Sequence, residues 1–389
     1  MQSGTAKLQP LSPRPATILV VDDTPVNLQV LVRILDGNGH RILAATSGKS
    51  ALDITERVKP DLILLDVMMP DIDGFEVCRR LKANPVTANI GVIFLSALGE
   101  VGDKVAGLEL GAADYITKPI QSEEVLARVA SQLTRLQLER EVRESRDSLD
   151  QELEAAARMQ RLILPPVLGP IANLSFAAHY RTSRYVGGDY YDVVALPGNR
   201  CGILVVDVSG HGASSAIIMA MIRAAFHAYS SPAVNPGEVL KYLNRQFQFL
   251  WSGSSMLATA LYAVVDTEKL QMSVACAGHP EPLLLRQGAV STIACDGTLP
   301  LLLMEIGNIP VIQFKLQSGD RLVFYTDGIS ERQNASGDMF EQNGIEAALM
   351  GSHHLQSEQL MKSIVARMEE FAAGTEPHDD QTLLLVSAS

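Results

Sequence analysis

Short, unbroken apolar runs alternate with amphipathic stretches over the first third of the chain. The runs predict strands at about 17–21, 41–45, 61–65, 91–95 and 113–117, with helical patterns at 25–38, 47–58, 73–83 and 102–110 between them. Four consecutive apolar residues, as in Leu62-Ile63-Leu64-Leu65, mark a strand covered on both faces. Such βα alternation predicts a parallel sheet with helices on both sides and right-handed crossovers. Gly111 suits a helix C-cap, and Pro25 and Pro60 punctuate loops.

The pattern then changes. From Gln121 to Leu164 there is neither glycine nor proline, and good helix formers dominate. Apolar residues fall at Leu126, Val129, Leu133 and Leu136, then at Val142, Leu149, Leu153, Ala156 and Ile163. Spacings of three and four outline a seam, but its phase slips near Arg140, and Arg143 and Arg146 dilute it. Two readings stay open: a single connecting helix, or a parallel coiled coil that joins two copies and carries a signal. Beyond residue 165, apolar strand patterns abut acidic turns four times. Gly187-Gly188-Asp189-Tyr190-Tyr191-Asp192 opens a strand running to Leu196. Ile203-Leu204-Val205-Val206-Asp207-Val208-Ser209-Gly210-His211-Gly212 leads into an apolar helix over 214–228. Leu322-Val323-Phe324-Tyr325-Thr326-Asp327-Gly328 repeats the arrangement, and His378-Asp379-Asp380-Gln381-Thr382 precedes a terminal strand over 383–386.

At 389 residues the chain suits two or three domains, and its 47% hydrophobic content is that of a globular protein. A net charge of −12 argues against nucleic acid or an anionic membrane as the main partner. The four cysteines form no CxxC pair, which points to a reduced, cytoplasmic compartment. No apolar run approaches the roughly 20 residues of a membrane span. Residues 1–15 hold three prolines and read as a loose arm rather than a signal peptide.

The candidate chemistry begins at the strand ends. Asp22-Asp23, Asp66, Ser96 and Lys118-Pro119 each follow an apolar run, so a parallel sheet delivers three carboxylates, a hydroxyl and an ammonium to one edge. Clustered carboxylates favour Mg²⁺. A carboxylate beside that ion can attack a phosphoryl group, and a lysine offsets the phosphoryl charge. Over about residues 15–122 the sequence resembles the receiver domain of two-component response regulators. The resemblance implies phosphoryl transfer to Asp66 from a sensor histidine kinase or a phosphotransfer protein. It also implies Mg²⁺ held by Asp22, Asp23, Asp66 and the Met68 backbone, and reorientation of Ser96 and Tyr115 afterwards.

In the second half, converging aspartates without histidine or cysteine ligands favour Mg²⁺ or Mn²⁺ over zinc. One aspartate shared by two ions makes a two-metal site for phosphate hydrolysis. The motifs over 165–389 resemble metal-dependent (PPM) protein phosphatases of the type 2C fold, nearest the bacterial sporulation and stress-response branch. The resemblance implies two Mn²⁺ or Mg²⁺ ions. Asp189, Asp207 and the Val208 backbone would serve the first ion, with Asp207 bridging. Asp327 and Asp379 would complete the second, with Asp380 as the alternative to Asp379. Arg184 is a candidate for the phosphate-holding arginine of eukaryotic members, which has no clear equivalent here. His211 lies four residues after Asp207 and reads as a turn residue, and His279 as a family marker.

The expected organisation is therefore an arm (1–15), a flavodoxin-like doubly wound α/β receiver (16–122), a helical linker (123–164) and a phosphatase domain (165–389). The last is expected as an α/β sandwich of antiparallel sheets. The expected function is a response regulator whose output is a protein serine/threonine phosphatase acting on a phosphoserine STAS-type anti-sigma-factor antagonist, with a homodimer formed through the linker. The alternative is a non-enzymatic adaptor that binds a sigma factor or an anti-sigma component for regulated proteolysis. The complete ligand set argues for the enzyme.

Overall fold

The structure is a computed structural model, describing residues 15–97, 110–165, 169–210, 212–229, 233–247, 249, 256–352 and 354–389. The expected arm and the helical pattern at 102–110 lie outside the described residues but for their last positions. The chain divides into two compact units, Met1–Leu149 and Asp150–Ser389.

The first unit runs β1 (Thr17–Val21), α1 (Pro25–Leu35), β2 (Arg41–Ala45), α2 (Gly48–Val58), β3 (Leu62–Asp66), α3 (Gly74–Ala83), β4 (Gly91–Ala97) and β5 (Asp114–Lys118). Its sheet is parallel throughout, in the order β2-β1-β3-β4-β5. β3 is buried at every position, which is why its apolar run shows no alternation. One core layer gathers Leu19, Ile63 and Phe94, and the opposite layer Val20, Leu64 and Ile93. Helix starts follow local chemistry. Pro25 sits in the first turn of α1, the Ser47 side chain accepts from the Ser50 N–H to cap α2, and Asp73 accepts from Glu76 to cap α3. The strand order reverses between β1 and β3, opening a crevice at their carboxyl ends.

The breaker-free stretch is one helix, α4 (Ser122–Ile163), of 42 residues. Val125, Val129 and Leu133 are buried in the first unit's core, so the expected linker boundary at 122 falls at the start of a helix that completes that core. Nothing in the sequence stops the helix there, and it continues. Between the two buried ends, Leu138, Val142 and Leu149 are exposed, whereas Ala157 and Gln160 are buried.

The second unit continues with β6 (Leu174–Arg181), β7 (Tyr190–Leu196), β8 (Arg200–Val208), α5 (Ala213–His227), α6 (Pro236–Gln246), β9 (Ala258–Asp266), β10 (Gln271–Ala277), β11 (Leu283–Arg286) and β12 (Ala289–Thr292). It ends with β13 (Ile312–Lys315), β14 (Arg321–Tyr325), α7 (Asp327–Ser330), α8 (Glu341–Leu349), α9 (Ser357–Ala372) and β15 (Gln381–Ala388). Two five-stranded antiparallel sheets result, ordered β13-β10-β9-β8-β7 and β12-β11-β14-β15-β6. Period-two alternation divides the second sheet's side chains. Phe324, Leu384 and Val386 join Leu204 and Tyr262 of the first sheet in one core, while Val323, Leu383 and Leu385 meet Leu360 and Ile364 of α9. Among the described residues, no helix is long and apolar enough to cross a membrane.

Leu64, fully buried on the central strand, tests the first core. Leu64→Ala should destabilise that unit by about 2–5 kcal/mol, read as a lower denaturant midpoint at unchanged slope.

Candidate functional site

Parallel register brings the first acidic set together. Val21 pairs with Leu65 and Asp66 with Leu95, while Ser96 and Ala97 pair with Thr117 and Lys118. The next residues of each strand therefore meet at one edge. Asp22, Asp23 and Asp66 offer oxygen atoms within 4.8 Å of one another. Lys118 Nζ lies 2.9 Å from Asp22 Oδ2 and 2.9 Å from Asp66 Oδ1. Asp22 is fully buried, its Oδ1 accepting from the Thr24 N–H at 2.9 Å and from Asn27 Nδ2 at 3.1 Å. Burial raises the Asp66 carboxyl above its usual range, Lys118 opposes that rise, and the Met68 backbone also donates to it. Burial alone would lower the Lys118 ammonium, but bonds to Asp66 and Asp22 hold it above its ordinary value. One ammonium against three carboxylates is a donor set that suits a hard divalent cation. Ser96 is buried nearby, and Tyr115 packs under the Arg128 guanidinium at 5.3 Å. Gly74 is required here, since a Cβ would stand 2.3 Å from the Asp66 carbonyl.

The second acidic set lies where the two antiparallel sheets meet. Asp189, at the entry to β7, is buried, and its Oδ2 accepts from Thr326 Oγ1 at 2.8 Å and Thr382 Oγ1 at 2.6 Å. Thr382 lies on β15 of the opposite sheet, and Thr326 directly follows that sheet's β14. Asp207 stands at the end of β8 and Asp327 opens α7. The two carboxyls act on each other, Asp327 adding to the rise of the Asp207 carboxyl. Burial first, then Asp189, Asp327 and Asp379, raises the Asp207 carboxyl far above its ordinary value. Asp189 is raised by burial, its two threonine bonds opposing and Asp380 and Asp379 adding to the rise. Carboxyls raised by burial and by one another form a donor set that divalent cations fit.

Asp379 and Asp380 differ in what they touch. Asp380 is buried and accepts from the Ser183 N–H at 2.8 Å, Ser183 Oγ at 3.1 Å and the Gly188 N–H at 2.7 Å. Its oxygens are engaged by the loop that carries Asp189. Asp379 is exposed and acts on both Asp207 and Asp189. A side chain on Gly187 would stand 2.2 Å from Asp380, and one on Gly188 would stand 2.4 Å from the Val208 carbonyl. A Cβ on Gly328, in α7, would stand 1.9 Å from the Asp380 carbonyl oxygen. His279 is buried, with Nδ1 2.7 Å from the hydroxyl of Thr259, the strand partner of Asp207. Burial pushes its pKa down to about 3, so it is a neutral ring behind the site. Arg184 is exposed, and His211 lies outside the described residues.

Four supporting residues carry little or no signal in the local sequence pattern. Gln160 of α4 is buried and grips Gly187, donating to its carbonyl at 2.6 Å and accepting from its N–H at 3.1 Å. Arg332, also buried, donates to the Thr375 and Glu376 carbonyls, fixing the loop ahead of Asp379. Thr326 and Thr382 stood inside the acidic motifs, where hydroxyls flanking two of the turns were the only signal.

The raised carboxyls fix a pH dependence. The folded unit keeps protons that the unfolded chain releases above about pH 4, so without a cation its stability falls as pH rises towards neutrality. A divalent cation bound there would displace those protons. Its stabilisation, measured as the rise in melting temperature with added Mn²⁺, should therefore be larger at pH 8 than at pH 6. An Asp207→Asn variant should show a smaller rise at both.

Comparison with known proteins finds two separate family matches in the chain. Residues 18–130 match the response regulator receiver domain, and residues 197–389 match stage II sporulation protein E (SpoIIE). Over 123 residues the chain is 48% identical to the response regulator PleD of Caulobacter vibrioides, covering 32% of this chain and 27% of that one. Over 118 residues it is 42% identical to the DNA-binding dual master transcriptional regulator RpaA of Synechocystis sp., covering 30% and 49%. The match thus spans between about a quarter and a half of these relatives' length. The SiaA-PP2C domain of Pseudomonas aeruginosa aligns with 63% of this chain and 99% of its own, with a TM-score of 0.56 and 22% identity, a likeness of fold. The chain therefore joins an N-terminal response regulator receiver domain to a C-terminal SpoIIE domain of PP2C-like fold.

Proposed function

We propose that the chain is a two-component response regulator in which phosphorylation of Asp66 governs a metal-dependent protein serine/threonine phosphatase. A sensor histidine kinase or phosphotransfer protein supplies the phosphoryl group. The substrate is a phosphoserine STAS-type anti-sigma-factor antagonist. The observation that carries the reading is the pairing of two carboxylate sites in one chain, one arranged around Lys118 and the other around the Asp207–Asp327 contact.

In the receiver, Asp66 is the nucleophile, Asp22 and Asp23 would hold Mg²⁺, and Lys118 balances the charge gained on phosphorylation. In the phosphatase unit, Asp189, Asp207, Asp327 and Asp379 would hold two Mn²⁺ or Mg²⁺ ions. When bound, these ions supply an activated water and offset the charge of the phosphate. Thr326 and Thr382 orient Asp189, and Gln160 holds Gly187 two residues before it. Because Gln160 belongs to the helix that begins in the receiver, a shift of α4 reaches the Asp189 loop through that amide. The exposed Leu138, Val142 and Leu149 supply the apolar seam of a parallel homodimer.

Incubation with acetyl phosphate and Mg²⁺ should form an acyl phosphate on wild type and none on Asp66→Asn. With Mn²⁺ and a phosphoserine STAS protein, Asp207→Asn should lose activity about 100-fold or more. Gln160→Ala should lose about 10–100-fold, as supporting residues of metal sites do. Wild type inert toward phosphoproteins and p-nitrophenyl phosphate in both phosphorylation states would favour the non-enzymatic adaptor.

The dimer has its own test. Val142→Glu with Leu149→Glu should shift the sedimentation coefficient of the full chain towards the monomer. A wild type that sediments as a monomer, with or without phosphodonor, removes the coiled coil.

A further inference from the structure

A groove of about 840 Å³ lies beside the Gly187–Asp189 loop, walled by α4 on one side and by residues 182–186 on the other. Leu153, Arg158 and Arg161 line it from α4, and Arg184, Tyr185 and Val186 from the β6–β7 loop. Its far end reaches Gly212, at the start of α5 and five residues after Asp207. It is therefore next to the acidic site without being part of it.

Its charge runs against that of the molecule. The chain carries −12 overall, and the neighbouring site consists of carboxylates. The groove nevertheless presents three arginines against one carboxylate, Glu154, which lies 3.8 Å from Arg158. Helical spacing explains the arrangement. Ala157 and Gln160 turn α4 into the domain, and positions 154, 158 and 161 fall along its flank at three- and four-residue steps. Arg158 and Arg161 are exposed, while Val186 is buried and Tyr185 is 41% exposed, giving an apolar floor under cationic walls. Guanidinium groups bind carboxylates in bidentate fashion, so such walls select an acidic chain segment laid over apolar contacts.

We propose that this groove docks the acidic segment flanking the phosphoserine of the protein substrate, with Arg158 and Arg161 as specificity-determining contacts. The proposal rests on the phosphatase reading above and extends it to what the enzyme selects. Two features support this occupant. The groove is far larger than a phosphate needs, and its wall at Val186 adjoins the loop that bears Asp189. A substrate carrying carboxylates besides its phosphoryl group is repelled by the chain's net charge. A local cationic track corrects that by speeding encounter and fixing orientation. Because the track lies on α4, the helix that grips Gly187 also supplies the substrate contacts.

The test uses the full chain with Mn²⁺ and three probes: a phosphoserine peptide with aspartate and glutamate flanks, the same peptide with lysine flanks, and p-nitrophenyl phosphate. Wild type should prefer the acidic peptide. In Arg158→Glu/Arg161→Glu, kcat/KM for that peptide should fall at least about 10-fold further than turnover of p-nitrophenyl phosphate, and the preference should shift towards the lysine peptide. Arg158→Lys/Arg161→Lys should restore most of the preference. Equal losses on all three probes would overturn the proposal, because the arginines would then support the metal site rather than select substrate. An unchanged preference together with an altered sedimentation coefficient would assign the groove to a second copy of the chain instead. If wild type turns over none of the probes, the phosphatase reading itself fails, and the proposal with it.

Discussion

Like charges held close together out of water are the constraint on which both halves of this chain depend. A buried carboxylate is costly unless something balances it. Each unit concentrates several at the ends of otherwise apolar strands. The apolar strands make the cost tolerable by giving each carboxylate a rigid seat. In the first unit the balance is a lysine that touches Asp22 and Asp66 together. In the second, burial and neighbouring carboxylates raise Asp189 and Asp207, which favours their protonated forms. The remaining architecture follows: glycines where the acidic turns approach neighbouring main chain, and hydroxyls or amides where a carboxylate must be aimed.

Much of this could be read from the sequence, for a simple physical reason. Strands buried on both faces show unbroken apolar runs, and a carboxylate ending such a run stands out against its surroundings. Asp66 after Leu62–Leu65 and Asp207 after Ile203–Val206 were visible in that way, as was the change of regime where the breaker-free helix begins. What stayed hidden depends on separation along the chain. Asp380 reaches Ser183 across 197 residues and Gln160 reaches Gly187 across 27, and no periodicity encodes such pairings. The same applies to the receiver's last helix. Val125, Val129 and Leu133 belong to its core, yet the helix-forming pattern does not change after them, so its boundary leaves no mark.

The choice between the two adjacent aspartates shows what local reading leaves open. Asp379 and Asp380 are indistinguishable as letters beside a strand. Both precede β15, and there Asp380 meets the loop before β7 while Asp379 acts on the remaining carboxylates. Arg332 contributes to the same outcome by holding the preceding loop through carbonyls, contacts that no acidic motif announces.

The contrast between Lys118 and the threonine pair extends beyond geometry. Asp66 is held by a partly exposed ammonium, a partner of opposite charge. Asp189 is held by Thr326 and Thr382, uncharged donors buried between sheets. Hydroxyl bonds of this kind are indifferent to ionic strength, which weakens the attraction between partly exposed charges. One aspartate is thus mounted on a charged partner, and the other so that its position survives changes in the salt around it.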